Sequence, residues 1–111
     1  MNANERKRLA AAGWKVGDTK EFLGLTDEES EIIELKLRLA DALKAQRVRR
    51  GWSQHKLAAL LGTSQSRVAK IEAADASVSI DLMFRSLLRM GSTRSDLGTY
   101  VSGAKTGRRA A

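Results

Sequence analysis

A chain of 111 residues has room for one small core and short extensions, since a compact helical domain needs only about 60 residues. It has no cysteine and one histidine, which excludes a disulfide framework, thiolate metal sites and multi-histidine sites, so no metal or cofactor is expected. Twenty bases against 13 acids leave a net charge of +7. There is no signal-peptide-like apolar run and no membrane-length stretch, so a cytoplasmic protein without a membrane partner is expected.

The absence of proline, the scarcity of aromatic residues and the abundance of Ala, Leu, Lys, Arg and Glu predict an all-α fold. Residues 4 to 12 can form a short helix stopping at Gly13. Asp18 can cap a brief turn through Phe22 and Leu23 that Gly24 breaks. Residues 1–25 thus read as an N-terminal extension whose Trp14, Val16, Phe22, Leu23 and Leu25 are too many for so short a segment to bury alone. They must pack on the helical core, on a second subunit or on another protein. Thr26 followed three residues later by Glu29 makes a capping box, and Asp27, Glu28 and Glu29 suit the positive end of a helix dipole. A long helix is expected from there, with Ile32, Leu35, Leu39 and Leu43 as its apolar stripe, Arg47 one turn further and an end near Gly51. Trp52 is assigned to the core.

Ser53 to Glu72, reading SQHKLAALLGTSQSRVAKIE, spells two short helices joined by a glycine turn. Leu57, Leu60 and Leu61 give the first an apolar side, and Ala58 is small where the second must cross closely. Gly62 permits a left-handed end, Thr63 connects, and Ser64 caps the second helix. Val68 and Ile71 dock that helix and leave Gln65, Ser66, Arg67 and Lys70 outward, as a groove-reading helix requires. Charge points the same way. From Ala42 to Ile71 there are seven bases (Lys44, Arg47, Arg49, Arg50, Lys56, Arg67, Lys70) and no acid, while the remaining 13 bases balance 13 acids. A concentrated basic patch neutralises phosphates and releases counterions, which is the main source of sequence-independent affinity for DNA.

After Glu72 a loop leads to Ser79, the cap of a helix whose Ile80, Met83, Phe84, Leu87 and Leu88 form a core stripe ending at Gly91. Residues 92 to 101 add a short helix through Leu97, Tyr100 and Val101, and 102 to 111, with Lys105, Arg108 and Arg109, read as a basic tail. The expected division is 1–25, a helix-turn-helix domain over 26–91, and 92–111 as short helix and tail.

Residues 44 to 91 resemble the Cro/C1-type (Xre) repressors in Gln54, Ala58, Gly62, Gln65, Val68, Ile71 and Glu72. That resemblance implies a compact helical bundle of the phage-repressor helix-turn-helix type that binds a double-stranded operator as a homodimer. Over residues 13 to 97, with GW, FLGLTDEE, SQSRVAKIE and SVSIDLMFRSLLRMG, the chain resembles HigA-type antitoxins, which repress their own operon and silence a RelE-like ribonuclease toxin. By position, the resemblance implies that Gln54 touches a phosphate and braces Gln65. The Gln65 amide can then pair with adenine N7 and N6. Ser66 suits either type of base pair, and Arg67 and Lys70 reach guanine or phosphate. Lys56, Thr63 and Ser64 complete the expected DNA-contacting set. Arg47 and Glu72 are implied to form a partly buried ion pair. The chain departs from the family at Ala74, where glycine is common; a left-handed alanine costs about 1 kcal/mol or more, so the loop 73–78 is expected to take another path. A toxin surface is expected at Trp14, Phe22, Leu23 and Leu25 beside the acidic run Asp27, Glu28, Glu29, Glu31 and Glu34.

Two other classes are open to the sequence. An orphan or phage-type regulator lacks the toxin, and a protein-binding inhibitor would carry a vestigial motif. Ala74 favours the inhibitor, while the intact polar face and the acid-free stretch count against it. His55 has no paired acid at a useful spacing, so enzyme chemistry is not expected. The acidic run is too sequential to cage a metal.

Overall fold

The computed structural model describes residues 3–12 and 26–103. Six helices and no strand occur among them: α1 Ala3–Ala11, α2 Asp27–Arg49, α3 Gln54–Leu61, α4 Gln65–Glu72, α5 Ile80–Arg89 and α6 Arg94–Ser102. The fold is an all-α bundle. None of these helices is long and apolar enough to cross a membrane. The expectations for Gly13, Trp14, Val16, Asp18, Phe22, Leu23, Gly24 and Leu25, and for the basic tail from residue 104 on, lie outside the described residues.

Each helix from α2 onward starts where a hydroxyl side chain replaces a missing intrahelical bond. Thr26 Oγ1 accepts from the Glu29 amide at 3.1 Å while Glu29 Oε1 accepts from the Thr26 amide at 2.8 Å, a complete capping box. Ser53, Ser64 and Ser79 cap α3, α4 and α5 in the same way, and Thr93 with Asp96 makes a second box at α6.

The 23-residue α2 is the spine on which α4, α5 and α6 pack. Leu39 and Leu43 on it, Leu57 and Ala58 on α3, Val68 and Ile71 on α4, and Met83 and Leu87 on α5 form the core, with Trp52, Phe84, Leu97 and Tyr100 packed against it partly buried. The stripe expected on α2 is only half of what is buried. Leu39 and Leu43 belong to it, but Ile32 is 45% exposed and Leu35 half-buried, while Ile33, Lys36, Leu37 and Ala40 are enclosed. Ile32 lies on the same side as Leu39 but two turns nearer the N-terminal end of α2. Helical spacing identifies a face, not how far along it a neighbour reaches. Leu60 and Leu88, expected in apolar faces, are 44% and 46% exposed. Leu57 and Ala58 carry the α3–α4 contact, and the buried small residue Ser86, whose hydroxyl donates to the Leu82 carbonyl at 2.8 Å, stands where α5 packs closely.

α1 joins this core through Leu9, which is fully buried. An exposed Arg8–Asp41 ion pair at 2.9 Å and the Ala76 amide donating to the Ala12 carbonyl at 3.1 Å are further ties. The second tie fastens the N-terminal helix to the loop that leaves α4. Under that loop Lys36 is buried, and burial holds its ammonium below the usual lysine range against the opposing pull of Asp75. Asp75 is in turn held below the usual carboxylate range by hydrogen bonds from the Ser77 hydroxyl and amide, with Lys70 and Lys36 adding to the effect.

The loop 73–78 corrects the expectation of a different path. Ala74 adopts φ of +56° in the left-handed region, and the turn is closed by Ala74 donating to the Ile71 carbonyl at 3.1 Å and Asp75 donating to the Lys70 carbonyl at 3.0 Å. That is the paired bonding of a Schellman end, usually made by glycine. Here the alanine methyl is fully buried, and burial worth about 0.8 kcal/mol offsets much of the backbone strain.

Candidate nucleic-acid interface

α3 and α4 are set against each other by a left-handed residue and a small one. Gly62 ends α3 at φ 71° and ψ 35°, and a side chain there would meet nothing within 4 Å, so glycine is needed for its backbone angle rather than for space. Ala58 is buried at the crossing. Thr63 follows exposed, and Ser64 caps α4 while its hydroxyl also lies 3.2 Å from that of Ser66.

Four side chains connect α2 to the tip of α4. The Arg47 guanidinium grips Glu72 in a two-point ion pair, Nε to Oε2 at 2.5 Å and Nη2 to Oε1 at 3.0 Å, and its Nη1 donates to the Trp52 carbonyl at 2.8 Å. Both partners are largely shielded, with side-chain exposures of 12% and 4%. The carboxylate hydrogen bond pushes the Arg47 pKa higher still. Gln54 Nε2 donates to Glu72 Oε1 at 3.1 Å, and Gln65 Nε2 donates to Gln54 Oε1 at 2.6 Å. The relay uses one of Gln65's two amide protons. It leaves the other proton and the carbonyl oxygen, the pair that adenine needs.

On the rest of α4, Ser66 and Lys70 are exposed and Arg67 is half-exposed, whereas Val68, Ile71 and Glu72 face inward. Lys56 is exposed near the start of α3, and Gln54 is half-buried in the relay. The basic stretch is less uniform than its sequence. Arg47 is turned inward and neutralised by Glu72, the residue just past the stretch, while Arg50 lies over the Trp52 ring at 5.1 Å and Arg49 donates to Gln46 at 2.9 Å. Two bases outside the stretch join it instead. Arg85 and Arg89 of α5 line a cleft of about 450 Å³ together with Thr63 and Arg67. Their four-residue spacing marks one face of a helix, but no local signal tells which face meets α4.

Two short helices at a fixed crossing, a capped second helix with a polar outer face and a surrounding basic surface define a DNA-binding helix-turn-helix. Residues 43–86 match the family model described as helix-turn-helix, from the last third of α2 into α5. This match supports the Cro/C1-type motif and a DNA-binding transcription regulator. No curated protein and no solved structure matches the chain.

Proposed function

We propose that the protein is a sequence-specific repressor that binds an inverted repeat as a homodimer, with α4 in the major groove of each half-site. The observation that carries this reading is the Arg47–Glu72–Gln54–Gln65 relay, because it fixes a base-reading amide at the tip of a helix instead of leaving it to sample rotamers. In this reading Gln65 pairs with adenine, Ser66 and Lys70 follow along the groove, and Gln54, Lys56, Thr63, Ser64 and Arg67 hold phosphates. Gel shifts on the DNA upstream of the gene test it: a preference over random competitor is expected, and equal affinity for both sinks the proposal.

A second, finer reading is that this repressor is an antitoxin that autoregulates its operon and neutralises a RelE-like toxin. It is favoured by the exposed acids Asp27, Glu28, Glu29 and Glu31 beside the exposed Ile32, an acidic rim with an apolar anchor of the kind a basic partner fits. Trp14, Phe22, Leu23 and Leu25 precede this rim in the chain. Deleting residues 1–25 tests the reading: the truncated chain is expected to bind DNA but to lose protection against the toxin encoded beside it. Full protection by the truncated chain would remove this segment from the contact.

A further inference from the structure

The exposed face of α4 has two edges, and the glutamine relay serves only one of them. At 100° per residue, Ser66 and Lys70 occupy the middle of that face, Gln65 sits on the edge toward α3, and Arg67 sits on the opposite edge. On that second edge Arg67 and the α5 residues Arg85 and Arg89 line the cleft of about 450 Å³, with Leu61, Leu82 and Leu88 also in its lining. We infer that this cleft seats a DNA phosphate strand, the one on the side of the major groove opposite the strand that the start of α3 approaches. The inference rests on α4 being the groove-reading helix.

Three observations carry it. A helix in a major groove about 12 Å wide is walled by one phosphate strand on each side. α3 supplies Gln54 and Lys56 on one side, and the Arg67 edge with α5 is the other side. Next, these arginines are available to an anion. Arg67 and Arg89 enter no ion pair among the described residues, and Arg89 uses one of its five donors on the Leu61 carbonyl at 3.2 Å. Arg85 pairs with Asp81 at 2.6 Å, but the two side chains are 72% and 74% exposed, so solvent screens the contact and a phosphate can displace it. Finally, the loop leaving α4 offers that strand no positive charge, because residues 73–78 contain no base and one acid, Asp75, which is tied to Ser77 and lies near Lys36 and Lys70. The first cations in the chain past α4 are therefore those of α5.

The test is the salt dependence of DNA binding, read by fluorescence anisotropy on the upstream duplex and on a random duplex. Each phosphate contact contributes about 0.9 to the slope of log K against log salt, so Arg85→Ala with Arg89→Ala should lower the slope by about 1 to 2, equally on both duplexes. Arg85→Lys with Arg89→Lys should restore most of it. Lys56→Ala, on the other flank, should lower the slope independently and add to the arginine loss. A helical double variant that keeps the wild-type slope overturns the inference. Should removal of the Arg89–Leu61 bond unfold the double variant, Arg85→Glu alone, at an exposed position, must still flatten the slope or the inference fails. Wild-type protein that binds no DNA would instead sink the parent reading, whereas normal binding with unaltered slopes sinks only the cleft.

Discussion

The two edges of α4 are built on opposite plans. On the α3 edge Gln65 is the end of a chain of hydrogen bonds that runs back through Gln54 and Glu72 to Arg47, most of it shielded from water. On the α5 edge Arg67, Arg85 and Arg89 stand around an open cleft, with one exposed ion pair and one bond to a carbonyl. A base edge must be met at one distance and angle, so the group that reads it is worth holding rigid. A phosphate strand is a continuous charge, and mobile cations follow it at little cost. Position is thus concentrated on one side of the helix and charge on the other.

The comparison is broken most severely at Glu72. Glu72→Ala strands the Arg47 guanidinium and releases Gln54, so a stability loss of about 3 kcal/mol is expected in thermal or urea unfolding. The double variant with Arg47→Met should recover much of it, because no charge is then left unpaired. Additive effects of the two changes would show that the pair does not act as a unit. Gln65→Ala comes next: operator binding should weaken by about 1 to 3 kcal/mol with relaxed preference at one base per half-site, while unfolding stability falls by about 1 kcal/mol or less for the lost bond to Gln54. Arg67→Ala should weaken binding by a smaller amount and alike on all sequences, and a change in base preference would move Arg67 to the reading side of the comparison.

Smaller effects sharpen what anchors α4 at its far end. Ala74→Gly relieves the left-handed strain but exposes the space of a buried methyl, so the two terms nearly cancel and stability should stay within about 1 kcal/mol of wild type by urea midpoint. Lys36 has a folded-state pKa below its unfolded value of 10.5. Below the folded pKa its charge opposes folding, and that cost fades as pH rises toward 10.5. Lys36→Met should therefore stabilise the protein most at neutral pH, with the gain shrinking in alkaline solution. A gain that does not vary with pH would show that lost packing freedom, not charge burial, governs this site.

Features set by neighbours in the chain are legible in the sequence alone. Thr26 with Glu29, Ser53, Ser64, Ser79 and Gly62 act within four residues of themselves, and a cap or a left-handed turn needs nothing more. What depends on a distant element is not legible in this way. Ile32, Leu60 and Leu88 have the spacing of core residues but lack cover, while Lys36 is buried on a stretch of α2 that it shares with Ile33, Leu37 and Ala40. At Ala74 the local cost of a left-handed alanine is visible in the sequence, whereas the burial that compensates it depends on the packed core. In the candidate interface, Gln65, Arg67 and Lys70 can be placed from periodicity alone, whereas Arg85 and Arg89 reach the same surface only through the cleft that α5 shares with α4.

The bond from the Ala76 amide to the Ala12 carbonyl gives this small protein a built-in reporter. A backbone proton held by another segment exchanges with solvent when that segment lifts, and its exchange rate measures the free energy of lifting. Leu9 and the exposed Arg8–Asp41 pair are among the contacts that hold α1 down, so this proton should exchange when they part. Anything that grips the N-terminal helix would slow it, and anything that peels the helix away would speed it. Since Ala76 lies four residues past the end of α4, a single amide resonance would register whether events at the start of the chain reach the helix proposed to enter the groove.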